Sequence, residues 1–132
     1  MIVLDANVVI GHLEPSNTLH SRAKSLIVRA IKDQQQLAAH PFTLGEVLVG
    51  AAKKGVENAV FLAVTEGLEV EVLQDMSSRW PLDIARVRAQ TGLRMPDAVV
   101  FEAAKRLDAM VATFDKQLAA VANSANLLYT EL

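Results

Sequence analysis

Four acidic residues stand where chemistry could be done. Asp5 ends the apolar run Met1 to Leu4, and Asp115 follows the apolar run Ala109 to Ala112 after two residues. Glu46 falls within about the first turn of a helical segment after Leu37 to His40, and Asp97 follows Pro96 at another helix start. In an open α/β sheet, ligands bind outside the carboxyl ends of the strands, so these positions can share one edge. Carboxylates gathered there repel one another and raise their own pKa values. A hard divalent cation relieves that repulsion, because Mg²⁺ and Mn²⁺ favour oxygen ligands and Mg²⁺ also binds phosphates. Such an ion activates water and stabilises charge on phosphorus, so the acids point to phosphodiester hydrolysis. Each acid has a plainer role too. Asp5 and Asp115 can cap helices, Asp97 can favour a helix dipole, and Glu46 can be a solvated helix residue. The apolar neighbours of Glu46 (Leu44, Val47, Leu48) and Asp97 (Ala98 to Phe101) weigh toward a built site.

The elements that must position these acids follow from periodicity. Met1 to Leu4, Leu37 to His40 and Ala109 to Ala112 read as buried strands, and Leu127 to Tyr129 as a last short one. Leu68 to Leu73 alternates apolar and charged residues and reads as a half-exposed edge strand. Helical spacing covers Ser16 to Gln36, Thr43 to Lys53, Val56 to Glu66, Ser77 to Gln90 and Pro96 to Leu107, with a short helix from about Lys116. Gly55 and Gly67 punctuate the middle helices, and Pro96 occupies a helix start. Strands alternating with helices predict a three-layer α/β/α fold around a mainly parallel sheet of about five strands. No linker or repeat divides the chain, so a single domain over residues 1–132 is expected.

Composition narrows the chemistry further. The 132 residues contain no cysteine, which excludes disulfides, thiolate metal sites and a cysteine nucleophile. This fits a reducing cytosol, and a cytoplasmic protein is expected. No apolar stretch reaches the roughly 18 residues of a membrane-spanning helix, and Asp5 interrupts the N-terminal run that a signal peptide would need. There are 13 Lys and Arg against 15 Asp and Glu, so no global basic footprint announces nucleic acid. Setting the four acids aside leaves 11 against 13, a slightly positive remainder.

The four segments resemble a known family. Ile2-Val-Leu-Asp5-Ala-Asn7-Val-Val-Ile10, Thr43-Leu-Gly-Glu46-Val-Leu-Val-Gly50, Arg94-Met-Pro-Asp97-Ala-Val-Val100 and Ala112-Thr113-Phe-Asp115-Lys-Gln-Leu118 are similar, in order, to the motifs of PIN-domain proteins. The compact length resembles the VapC-like toxins of type II toxin–antitoxin modules. The resemblance implies a Mg²⁺- or Mn²⁺-dependent endoribonuclease in which Asp5, Glu46, Asp97 and Asp115 bind metal. By the same matching, Thr113 orients a ligand or water, and Asn7 hydrogen-bonds the acid cluster. A VapB-like antitoxin and homodimerisation are implied, together with 5′-phosphate products. Many members carry a further acid two residues past the fourth. Here that position is Gln117, which leaves open whether one or two metals act.

Substrate phosphates require cations. Between Met76 and Pro96, four arginines (79, 86, 88 and 94) face Asp83 alone. Arg94 and Lys116, each within three residues of a candidate metal ligand, are the expected phosphate contacts; Lys53, Lys54, Lys105 and Arg106 read as solvated charge. His40 ends a strand near Glu46 and is a candidate lining residue, whereas His20 reads as a surface residue. Other classes fit less well. The Gly45/Gly50 spacing lacks the lysine of a phosphate loop, and Asp5 lacks the acidic neighbour of a receiver domain. A housekeeping RNA-processing nuclease or an inactive binding module is the runner-up.

Overall fold

A computed structural model describes residues 1–74 and 76–130. The chain runs β1 (Ile2–Leu4), α1 (Ala6–Leu13), α2 (His20–Lys32), β2 (Leu37–Ala39), α3 (Pro41–Val47), α4 (Val49–Lys53) and α5 (Glu57–Leu62). A π-helical turn (Ala63–Gly67) leads to β3 (Glu71–Val72), then α6 (Trp80–Thr91), α7 (Met95–Leu107), β4 (Met110–Ala112) and α8 (Lys116–Ser124). The strands form one parallel sheet in the order β3-β2-β1-β4. The expected edge strand is the edge, shortened to two residues because Glu69 takes a left-handed turn (φ 54°) just before it. The expected fifth strand contracts to a single parallel bridge between Val111 and Leu128.

Alternation along the strands divides the core into two layers. Ile2 and Leu4 of β1 and Leu37 and Ala39 of β2 pack with Val8, Val9, Leu26 and Ile27 of α1 and α2. Val3 and Ala38 point the other way, toward Ile84, Val87, Val99, Val100 and Leu118 of α6, α7 and α8. All of β1 is buried, which explains its unbroken apolar sequence. The long periodic segments hold, with altered bounds. The Ser16–Gln36 helix is trimmed to His20–Lys32 and the Ser77–Gln90 helix shifts to Trp80–Thr91; the Thr43–Lys53 helix breaks at Leu48 into α3 and α4, and the Val56–Glu66 helix ends in the π-helical turn.

Strand order reverses at β1, since β2 and β3 extend to one side and β4 returns to the other. This is the topological switch point, where a crevice opens beyond the strand ends. Gly11 of α1 is buried against α2, and a Cβ placed there would lie 3.1 Å from the Ala23 Cβ. Gly11→Val is therefore expected to force the two helices apart, lowering unfolding free energy by roughly 1–3 kcal/mol in urea titrations. Denaturation at the wild-type midpoint would show that the contact gives way freely.

Candidate functional site

The site begins with Asp5, which leaves β1 at the switch point with its side chain buried. Its N–H donates to the Ala112 carbonyl at 2.9 Å, continuing the β1–β4 pairing by one step. One carboxylate oxygen accepts from the Ala6 N–H at 2.8 Å, capping α1, and the other accepts from the Thr113 hydroxyl at 2.6 Å. Thr113 in turn accepts from the Asp115 N–H at 3.0 Å, and the Asp115 carboxylate accepts from the Leu118 N–H at 2.9 Å, capping α8. Asn7 lines the same cleft, but its amide oxygen accepts from the Phe114 N–H at 3.2 Å; it fixes the backbone of the β4–α8 loop instead of bonding the acids.

The other two acids arrive on helices. Asp97 lies in the first turn of α7, buried, with Pro96 before it and Arg94 as the residue preceding the helix. Glu46 is two residues deeper in its helix than the sequence suggested, because α3 already begins at Pro41. It is exposed while its neighbours Thr43, Leu44 and Val47 are buried. Asp5, Asn7, Glu46, Arg94, Asp97 and Asp115 line one cleft, together with Ala6, Ile10 and Pro96, which sequence reasoning did not single out. Lys116 is exposed at the start of α8 and does not line it. His40 does not line it either: the side chain is buried behind α3.

Three of these acids are displaced in the same direction. Burial raises the Asp5 carboxyl above its ordinary value, against the lowering effect of its hydrogen bonds to Thr113 and Ala6, and Asp115 and Glu46 push it further up. Burial also raises Asp97, with Asp115 and Asp5 adding to it and the Arg94 charge opposing. Glu46 is raised by burial and by Asp97. Asp5, Asp97 and Glu46 are thus each raised further by at least one other acid of the cleft, and Arg94 is the cation that opposes this at Asp97.

The donor set is oxygen only, which suits a hard cation. Among the described residues, no three His, Cys, Asp or Glu side chains stand close enough to form a ready-made ion cage. The arrangement suits an ion held by one or two carboxylates and retaining water, as Mg²⁺ usually does, with Asp5, Glu46, Asp97 and Asp115 as the available donors.

The profile of the PIN domain family matches residues 2–124. A chain of a toxin–antitoxin complex from Klebsiella pneumoniae is similar in structure, with TM-score 0.70 at 22% identity over 92% of each chain. VapC20 of Mycobacterium tuberculosis, described as a sarcin–ricin loop cleaving toxin, superposes with TM-score 0.69 at 15% identity, over 100% of this chain and 98% of that one. The FitAcB structure from Neisseria gonorrhoeae gives TM-score 0.64 at 19% identity, over 93% and 94%. No curated protein matches by sequence. The structural likenesses speak for the fold, and the profile, which spans nearly the whole chain, shows that the protein belongs to the PIN domain family.

Proposed function

We propose that this chain is a divalent-metal-dependent endoribonuclease and the toxin of a VapBC-type module. The observation that carries the reading is the convergence of Asp5, Glu46, Asp97 and Asp115 on one cleft at the switch point of the sheet. The toxins and toxin–antitoxin complexes among its structural neighbours support the cellular role. A bound Mg²⁺ or Mn²⁺ would supply charge neutralisation at the phosphate and a lowered pKa for the attacking water. Asp5 holds its place through Thr113 and the start of α1, and Asp115 through its cap on α8, so both offer fixed oxygens. Glu46, exposed in the cleft, would offer one oxygen to the ion and accept the proton on the other as water attacks phosphorus. The P–O3′ bond breaks and the departing 3′ oxygen takes a proton from solvent, leaving a 5′-phosphate and a 3′-hydroxyl. Arg94 at the cleft rim binds the scissile phosphate, and Lys116 a phosphate farther out.

An antitoxin would meet the apolar surface of the middle helices. Neither α4 nor α5 contains a buried residue, and Val49, Val56, Phe61 and Leu62 are exposed there. Among the described residues no helix is long and apolar enough to cross a membrane.

Three outcomes are expected. Asp5→Asn and Asp97→Asn should each lower Mn²⁺-dependent cleavage of RNA by at least about 100-fold with the circular dichroism spectrum unchanged, and EDTA should abolish wild-type cleavage. Cleavage that persists in both variants, or in EDTA, would remove the acids from the mechanism. Arg94→Ala should weaken RNA binding and reduce the slope of log affinity against log salt by about 1, as loss of one phosphate contact requires. An unchanged slope would exclude that contact.

The third concerns stability. Asp97 binds its proton more tightly in the folded state than its ordinary value of 3.8, so stability falls as pH rises from that value through the raised one. In EDTA at neutral pH, Asp97→Asn should melt a few degrees above wild type, and the gain should vanish below about pH 3.8, where both side chains are neutral. A variant less stable than wild type at neutral pH would show that the ionised carboxylate is held favourably after all.

A further inference from the structure

The buried histidine behind the cleft is left unused by this chemistry, and its surroundings are built. α3 is seven residues long, and its first N–H groups need acceptors from outside the helix. Helices usually take Ser, Thr, Asp or Asn for this purpose. Here the residue is His40, held in an extended conformation (φ −71°, ψ 144°) by the proline that follows, and its ring Nδ1 accepts from the Phe42 N–H at 3.0 Å. An accepting Nδ1 carries no proton, so the neutral ring has its hydrogen on Nε2, which lies 3.0 Å from the Met76 sulfur.

The ring is fixed from behind. It stacks on Trp80 with centroids 5.8 Å apart and planes inclined by 24°. The Trp80 indole N–H donates to the Glu102 carboxylate at 2.9 Å, and the Arg106 Nε donates to the other oxygen of that carboxylate at 3.2 Å. His40 is 2% exposed and Glu102 5%. The chain of contacts therefore runs from α3 through Trp80 at the start of α6 to the middle of α7, joining the helix that carries Glu46 to the helix that carries Asp97. The charged groups facing the imidazole are Arg106 and Glu102, both on α7. Burial and Arg106 push its pKa down while Glu102 pulls it up, leaving it below 6.5 and the ring neutral at neutral pH.

We infer that His40 is a positioning residue for Glu46: its imidazole caps the helix that presents this carboxylate to the cleft, and Trp80, Glu102 and Arg106 hold the imidazole in the capping orientation. The inference rests on the reading of Glu46 as a working acid of the cleft.

The test uses Mn²⁺ alone as the probe, with affinity measured by calorimetry on the full chain. His40→Phe keeps a ring against Trp80 and removes the acceptor, whereas His40→Asn restores an acceptor without the ring. His40→Phe is expected to weaken Mn²⁺ binding roughly tenfold, at the low end of what outer partners of metal ligands contribute. His40→Asn should stay within about twofold of wild type, because Asn is itself a strong cap. In the double variant with Glu46→Gln, His40→Phe should add no further loss, since residues that act through one another are not additive. Additive losses, or wild-type affinity in His40→Phe, would overturn the inference. Wild-type affinity in the single variant Glu46→Gln would overturn it too, and would mark the failure as that of Glu46. If His40→Phe does not fold, the imidazole ¹⁵N shifts of the wild-type protein still decide: an unprotonated Nδ1 and a protonated Nε2 at pH 7 are expected, and a protonated Nδ1 refutes the cap.

Discussion

The bond between the Thr113 hydroxyl and the Asp5 carboxylate closes the seam where β1 meets β4. It joins residues 108 positions apart in sequence at the place where strand order reverses. Around it, almost every polar group is shared between structure and site. Asp5 caps α1, Asp115 caps α8, and Asn7 holds the Phe114 N–H, so residues 113 to 115 are each tied by a hydrogen bond. The helix-capping and functional readings of these acids are therefore not alternatives. A cap fixes one oxygen of a carboxylate and so fixes where the other can point, and that rigidity is what a site of fixed geometry needs.

That economy has an electrostatic cost. Carboxylates set against an apolar core are poorly solvated, and here burial and mutual repulsion raise Asp5, Asp97 and Glu46 together. The fold tolerates this because hydrogen bonds answer Asp5, the Arg94 charge answers Asp97, and Glu46 keeps its exposure. A cleft that disfavours its own ionised form would gain from a bound cation, and this follows from the geometry of the sheet ends, not from net charge. This is why a chain with 15 acids and 13 bases can still be read as acting on a polyanion: the excess of negative charge is gathered into one place.

Legibility in the sequence follows the range of each interaction. Asp5 and Asp115 could be placed because the strands before them are unbroken apolar runs and strand ends are a local property. The shortening of the edge strand and the break at Leu48 could not, since they depend on a left-handed Glu69 and on a change of helix direction that apolar spacing does not record. Thr113 was found by resemblance, and its hydroxyl donates to Asp5, one of the acids the same resemblance names as a metal ligand. Asn7 was assigned to the acids by the same resemblance, whereas its amide oxygen accepts from the Phe114 N–H. Histidine is not among the residues one looks for at a helix start, so the role of His40 was hidden until the Phe42 N–H was seen to point at its ring.

The acids fall into two pairs by how they are held, and this decides which are more vulnerable to change elsewhere. Asp5 and Asp115 hang from adjacent, hydrogen-bonded strands, so backbone pairing sets their separation. Glu46 and Asp97 come from α3 and α7, which pack on each other without sharing a strand. Helix packing tolerates small shifts more readily than a β ladder, because side chains can repack where ladder hydrogen bonds cannot. The precision of the second pair must then be supplied by specific side-chain contacts between the helices. The chain of contacts from His40 through Trp80 to Glu102 and Arg106 is a polar connection that spans them. It follows that the two halves of the cleft are secured by different physics, ladder geometry on one side and a packed polar cluster on the other, and that changes far from the acids would reach Glu46 before they reach Asp5.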